Sequence, residues 1–395
     1  MKIVTDKKKV DEILTRGVED VIVKEDLQKA LSAGRQLRVK FGIDPTSSDL
    51  HIGHSVVLRK LRQFQELGHK IVLIIGDFTA LIGDPSGKDK TRPHLAPIEV
   101  KKNMKDYLKQ AGKIIDIQKT ETRHNSQWLS KLYGPKLFEL LGMVSFNQII
   151  ERDDFSKRLK EHKSIRMHEL LYPIMQGYDS VVIKADIECG GTDQLFNLLV
   201  GRSLMEKKGM RAQNIVTTPL LEGTDGVRKM SKSLGNYIGL TDKPNNMFGK
   251  VMSVDDGLVK KYFLLCTDKT EKEITTILKQ DPRDAKLELA QSIVALYHGV
   301  RKAEEARDGF IETFSKKKKP TNLPVKMVKK SSMNIVDLLV ETKLAGSKSE
   351  ARRLIEQGGV RINEKKEKDP KKEVTLHQAI NLQVGKHTFL KVKGE

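Results

Sequence analysis

The sequence predicts an α/β protein built on a parallel sheet, followed by an α-helical region and a small α+β module. Three observations predict it. Residues 37–43 alternate apolar with other side chains, 44–48 (DPTSS) carry turn chemistry, and a helical pattern starts at Ile52 with Val57, Leu61, Phe64 and Leu67 on one side. Gly68 ends that helix and 70–75 (KIVLII) reads as a second strand, completing a β-turn-α-β unit. Residues 181–200 then repeat the plan as strand, Gly190-Gly191 loop and helix, with a further strand at 214–220. After residue 315 the composition shifts to a basic, helix-helix-strand pattern.

With 395 residues, the chain has length for two to four domains. Its net charge is +20, and residues 316–395 hold 20 Lys/Arg against 9 Asp/Glu. One fifth of the chain thus carries over half the excess charge, which favours a polyanionic partner, nucleic acid before membrane. A generally lysine-rich, solvated surface is the plainer alternative. Cys189 and Cys266 form neither a CxxC pair nor a zinc spacing, and this fits a reducing compartment. The first residues lack an apolar signal core, and no stretch is apolar enough to span a membrane, so a cytoplasmic protein is expected.

In chain order, 1–35 read as polar, amphipathic helices on the edge of the main domain. At the start of the Ile52 helix stand His51 and His54, with Gly53 between them. A helix N-terminus presents unpaired N–H groups and partial positive charge, which suits phosphate, and Gly53 lets a flat ring approach the backbone. Two histidines so spaced are, by themselves, more often structural. Residues 74–91 run from a strand into a loop, GDPSG, where Asp84 could hold an ammonium group and Lys88 and Arg92 could hold phosphates. Residues 95–165 look helical, with Leu137, Leu140, Leu141, Met143 and Val144 as an apolar patch that core packing or an interface would explain. Tyr172, Gln176 and Asp179 fall at i, i+4 and i+7, one helical face with a phenol, an amide and a carboxylate, although Pro173 interrupts its first turn. Gly190 and Gly191 allow close approach to a ribose, whose hydroxyls Asp193 can take. Lys229-Met230-Ser231-Lys232-Ser233, with Gly226 and Gly235 beside it, reads as a hinged lysine loop. Residues 241–315 form a helical region, with Phe248, Met252, Leu258, Tyr262, Leu265, Ile274, Leu278, Leu287, Leu289 and Ile293 as apolar positions. Residues 316–332 are a basic linker. In 333–395 a first helix begins at Ile335, a second is capped by Ser347 and stopped by Gly358-Gly359, and short strands follow.

His51-Ile52-Gly53-His54 in the first β-α-β unit, paired with Lys229–Ser233 far downstream, resembles the class I aminoacyl-tRNA synthetases. The resemblance covers nearly the whole chain and narrows to the bacterial type of tyrosyl-tRNA synthetase on GDPSG, the Tyr172/Gln176/Asp179 face and the C-terminal module, which is similar to an S4-type RNA-binding domain. It implies a Rossmann-like catalytic domain over 1–240 with a helical insertion at 95–165, a helical anticodon-region domain at 241–315 and an S4-like domain at 333–395.

The resemblance also implies roles. Thr46, His51, His54, Lys88, Arg92, Lys229 and Lys232 would stabilise charge on the phosphates. Gly53, Gly190, Gly191, Asp193 and Ser233 would join the histidines and lysines in holding ATP. Asp44, Asp84, Asn125, Tyr172, Gln176, Asp179 and Gln194 would hold tyrosine, with Asp179 on the phenol hydroxyl. Lys348, Arg352, Arg353 and Arg361 would contact tRNA. ATP enters as a substrate with Mg2+, no prosthetic group and no resident metal are expected, and a homodimer is implied. One position departs from the pattern. Lys40 stands where much of the family has a tyrosine that helps Asp179, as in a second bacterial subgroup, and could either bond the phenol or turn away. Glu188 stands where these enzymes often have Gln. A tryptophanyl-type enzyme, a non-catalytic RNA-binding relative and another nucleotidyltransferase are the competing readings.

Overall fold

Alternation of Val39, Phe41 and Ile43 with Arg38, Lys40 and Gly42 gives the central strand of the sheet its two faces. The computed structural model describes residues 3–45, 49–84, 97–315, 325–328, 331–363, 365–385 and 388–394. The sheet contains β1 (Val21–Ile22), β2 (Arg38–Ile43), β3 (Lys70–Ile75), β4 (Glu121–His124), β5 (Ile187–Gly191) and β6 (Asn214–Thr218), in the order β1-β6-β5-β2-β3-β4. All pairings are parallel except that of β1 with β6. The chain leaves β2 toward β3 on one side and later returns to β5 on the other. The carboxyl ends of β2 and β5 therefore flank the point where the winding reverses, the place where open α/β sheets bind ligands.

Helix α1 (Ile52–Glu66) matches the predicted period. Ile52, Val57, Leu61 and Phe64 are buried, and Gly68 takes φ +93°, a conformation that stops the helix. Helix α2 (Met167–Ile183) continues through Pro173, which is buried in its N-terminal half. Helix α3 (Leu195–Lys207) packs along α2, and their close approach requires the facing Gly177 and Gly201: a Cβ on Gly177 would lie 3.0 Å from the Gly201 backbone.

Two sheet strands depart from the sequence reading. The 95–165 segment is not wholly helical, because β4 (ETRH) lies inside it and pairs with β3. As an edge strand it is only half-buried and carries charged side chains, so it lacks an apolar alternation. β1 adds a short antiparallel edge within the N-terminal segment otherwise read as helices. In the 137–144 patch, Leu140 is buried and Leu137, Leu141, Met143 and Val144 pack on the same cluster as α2, so this patch serves the core.

By backbone contacts the chain divides into Met1–Phe310 and Ile311–Glu395. The helices between Pro244 and His298 lie within the first unit. Of the apolar positions expected there, Leu278 is exposed and the others are buried or half-buried. In the second unit, helices Ile335–Glu341 and Lys348–Glu356 and strands Val360–Ile362, Ile380–Val384 and Thr388–Gly394 enclose a core of Ile335, Leu338, Leu339, Ile355, Val360 and Leu382. Ser347 Oγ accepts from the Glu350 N–H (3.1 Å), and the Glu350 carboxylate accepts from Gly346 N–H (2.7 Å), which caps the second helix.

Candidate active site

A cavity of about 340 Å³ opens at the carboxyl ends of β2 and β5. Asp44, His51, Gly53, His54, Asp84, Asn125, Tyr172, Gln176, Asp179, Gly191, Asp193, Gln194 and Lys229 line it. Residues from distant stretches of sequence thus meet on one wall. Gly190 sits behind that wall against Leu198 and Gln194, and Lys232 and Ser233 lie outside it. Thr46, Lys88 and Arg92 fall outside the described residues.

At one end the polar groups form a connected network. Tyr172 donates its hydroxyl proton to Asp44 Oδ2 (2.9 Å), and Thr79 Oγ1 donates to Asp44 Oδ1 (2.7 Å). Asn125 Nδ2 donates to Thr79 Oγ1 (3.0 Å) and to Asp179 Oδ2 (3.3 Å), while Trp128 Nε1 donates to Asp179 Oδ1 (2.8 Å). Burial pushes the Asp179 carboxyl up to about 7, against the opposing pull of the Lys40 charge and of the Trp128 and Asn125 donors. Asn197 Nδ2 bridges Gln176 Oε1 and Gln194 Oε1 (3.1 Å each), and Gln194 Nε2 donates to Asp84 Oδ2 (2.9 Å). The carboxylates Asp44, Asp84 and Asp179 make this end suited to an ammonium group and a hydroxyl donor. Thr79, Trp128 and Asn197 belong to this network, and no local motif marks them. Gly76 could have been found from its place after β3. A Cβ there would lie 2.0 Å from Asp44 Oδ1 and 2.3 Å from Thr79 Oγ1.

Lys40 turns away from the cavity. It is fully buried, and its ammonium donates to Gln176 O (2.9 Å) and Ser180 Oγ (2.8 Å) and pairs with Glu188 Oε1 (2.7 Å). Asp179 has Trp128 and Asn125 as partners instead.

At the other end the two histidines stack, with ring centroids 3.8 Å apart, and His54 Nδ1 accepts from His51 N–H (3.2 Å). Gly53 makes room for this: a Cβ there would meet His51 Nδ1 at 2.9 Å. Burial, then the neighbouring His54, Lys232 and Lys229 charges, holds His51 well below the usual histidine range. Burial and the same lysines bring His54 to about 4. Both rings are therefore neutral near pH 7, each able to donate one N–H to phosphate. His51 Nδ1 is buried with no hydrogen-bond partner among the described residues, a polar atom that a ligand could satisfy. The lysine loop lies over this end. Lys229 Nζ pairs with Asp193 Oδ2 (3.1 Å), Lys232 Nζ pairs with Asp49, and Ser233 Oγ is 2.9 Å from Ser231 Oγ.

In the second unit Lys348, Arg352 and Arg353 are exposed on the Lys348–Glu356 helix, with Lys348 paired to Asp337 (2.7 Å), and Arg361 is half-buried on the Val360–Ile362 strand.

The family comparison assigns this fold and cavity to the class I aminoacyl-tRNA synthetases. Residues 32–315 match the family of class I tRNA synthetases for tryptophan and tyrosine, and 316–391 match the tyrosine–tRNA ligase SYY-like C-terminal domain. A tyrosine–tRNA ligase of Thermotoga maritima is 48% identical over 388 residues, covering 97% of this chain and 96% of that one. Another, of Aquifex aeolicus, is 46% identical over 381 residues, covering 96% and 97%. The crystal structure of tyrosyl-tRNA synthetase from Aeropyrum pernix has the same fold, with TM-score 0.63 at 17% identity over 79% of this chain and all of that one. The chain belongs to the tyrosine–tRNA ligase family.

Proposed function

We infer that this chain activates L-tyrosine with ATP and then passes tyrosine to the 3′-terminal ribose of tRNA(Tyr). The observation that carries this is the Asp179 carboxylate, held by Trp128 and Asn125 in a cavity that His51, His54 and Lys229 also line. Tyrosine lies with its hydroxyl on Asp179 and its ammonium group among Asp84, Tyr172, Gln176 and Gln194. Its carboxylate oxygen attacks the α-phosphorus of ATP, the bond to pyrophosphate breaks, and tyrosyl-adenylate remains. No side-chain nucleophile is needed; positioning and cations aimed at the departing charge supply the rate. His51 and His54 donate N–H to the phosphates, Asp193 takes the ribose, and Lys229 and Lys232 follow the pyrophosphate. Thr46, Lys88 and Arg92 join them by family resemblance. In the second step the terminal ribose hydroxyl attacks the activated carbonyl and AMP leaves.

Among the described residues no group of three or more His, Cys, Asp or Glu side chains gathers as a metal site. Mg2+ would enter with the nucleotide, on its phosphates. Lys348, Arg352, Arg353 and Arg361 bind tRNA through phosphate and shape. Exposed Tyr133, Phe138 and Phe146 on the inserted segment favour a second copy of the chain as partner. Among the described residues no helix is long and apolar enough to cross a membrane, and the buried, unbridged Cys189 and Cys266 suit the reducing cytoplasm. The test is charging of tRNA(Tyr) with labelled tyrosine and ATP. Label should enter acid-precipitable RNA; charging with another amino acid and not with tyrosine would overturn the reading.

A further inference from the structure

Lys40 on β2 and Glu188 on β5, neighbours in register, meet as one buried ion pair. Their side chains are 0% and 1% exposed. Lys40 donates to Gln176 O and Ser180 Oγ, and its ammonium lies 2.7 Å from Glu188 Oε1 as a charge pair. Glu188 Oε2 accepts from Ser180 Oγ (3.0 Å) and from Gln213 Nε2 (2.5 Å). The pair therefore grips one turn of α2, residues 176–180. That turn carries both Gln176 and Asp179 into the cavity.

A buried ion pair adds little to stability relative to apolar packing of the same volume, because desolvation offsets the attraction. Geometry is what it supplies here. We propose that Lys40 and Glu188 form a positioning pair that sets tyrosine selectivity, by fixing the Gln176–Ser180 turn so that Asp179 faces the substrate hydroxyl without help from a phenol on β2. This rests on the reading of the cavity as the tyrosine pocket. The ammonium has a second effect of the same sign: its charge favours the ionised form of Asp179, which accepts the hydroxyl proton, while Glu188 opposes it.

The test compares tyrosine-dependent and phenylalanine-dependent ATP–pyrophosphate exchange in the full chain and in Lys40→Met, Glu188→Gln and the double variant. The double variant leaves neither charge of the pair buried alone, so it is expected to fold, which circular dichroism and cooperative unfolding check. It should lose about tenfold of the tyrosine-over-phenylalanine ratio of kcat/KM, through KM for tyrosine, with KM for ATP unchanged; this is the loss expected when one charge-assisted hydrogen bond is misaligned. Each single variant leaves one charge buried alone and should lose more folded protein or more selectivity than the double. A folded double variant with the wild-type ratio would overturn the proposal, and so would single effects that simply add. Absence of tyrosine-dependent exchange in the wild type would instead overturn the pocket reading itself.

Discussion

Replacing Asp179 by Asn should make the protein more stable at pH 8 while spoiling its pocket. The Asp179 carboxyl is raised from 3.8 to about 7, chiefly by burial. Between these values the folded chain holds a proton that the unfolded chain has released. Wild-type stability therefore falls as pH rises from about 4 to about 7 and then levels. At 1.36 kcal/mol per pH unit, ionisation of Asp179 costs about 4 kcal/mol at pH 8. Asn removes that cost. It also turns an amide NH2 toward one of the two donors, Trp128 Nε1 or Asn125 Nδ2, and losing that bond costs about 1 to 1.5 kcal/mol. The net expectation is a gain of about 2 to 3 kcal/mol at pH 8 and a loss of about 1 kcal/mol at pH 4. The assay is urea unfolding followed by tryptophan fluorescence. Trp128 is the single tryptophan of the chain and its indole touches Asp179, so the signal reports on the first unit alone. The wild-type fluorescence should itself titrate near pH 7, and that inflection should vanish in the variant. A difference in stability that does not change with pH, or an Asn variant less stable at pH 8, would refute the reasoning.

Other perturbations separate the parts of the site. Asp179→Ala should abolish preference for tyrosine over phenylalanine; an unchanged ratio of kcat/KM would contradict its role on the hydroxyl. Gly76→Ala places a methyl within 2.3 Å of Asp44 and Thr79 oxygens and should raise KM for tyrosine at least about tenfold, since Asp44 must move and release Tyr172; wild-type KM would show that the Asp44 cluster does not shape the pocket. Lys229→Ala should lower kcat of exchange by about two orders of magnitude with a small change in KM for tyrosine, the mark of a group used on the departing pyrophosphate; an effect on KM for tyrosine alone would contradict this. Arg352→Glu with Arg353→Glu should leave exchange unchanged but weaken tRNA binding and lower its salt slope by about one per cation; unchanged affinity would remove this helix from the RNA surface.

What was legible in the sequence has a physical reason. β2, β3 and α1 could be read because burial imposes a period of two on one and 3.6 on the other, and Gly68 marks the end of α1. β4 could not, because an edge strand half in solvent tolerates Glu121, Arg123 and His124. Most of the cavity wall was legible as motifs, from Asp44 to Lys229. The links between them were not: the path Asp44–Thr79–Asn125–Asp179–Trp128 joins β2, β3, β4 and α2 through tertiary contacts only. Lys40 was visible as a departure and Glu188 as a position where such enzymes often have Gln, yet nothing local indicates that they meet. Their pairing follows from adjacent β2 and β5, where Lys40 stands opposite Glu188 in the register.

The central claim is that the Asp179 end of the cavity reads tyrosine for activation by ATP. Amino-acid-dependent ATP–pyrophosphate exchange by the purified chain, run in parallel with tyrosine, tryptophan and phenylalanine, tests it most directly. Exchange with tyrosine, and far less with the other two, is the expected result. Exchange driven by tryptophan, or no exchange with any of the three, would contradict it.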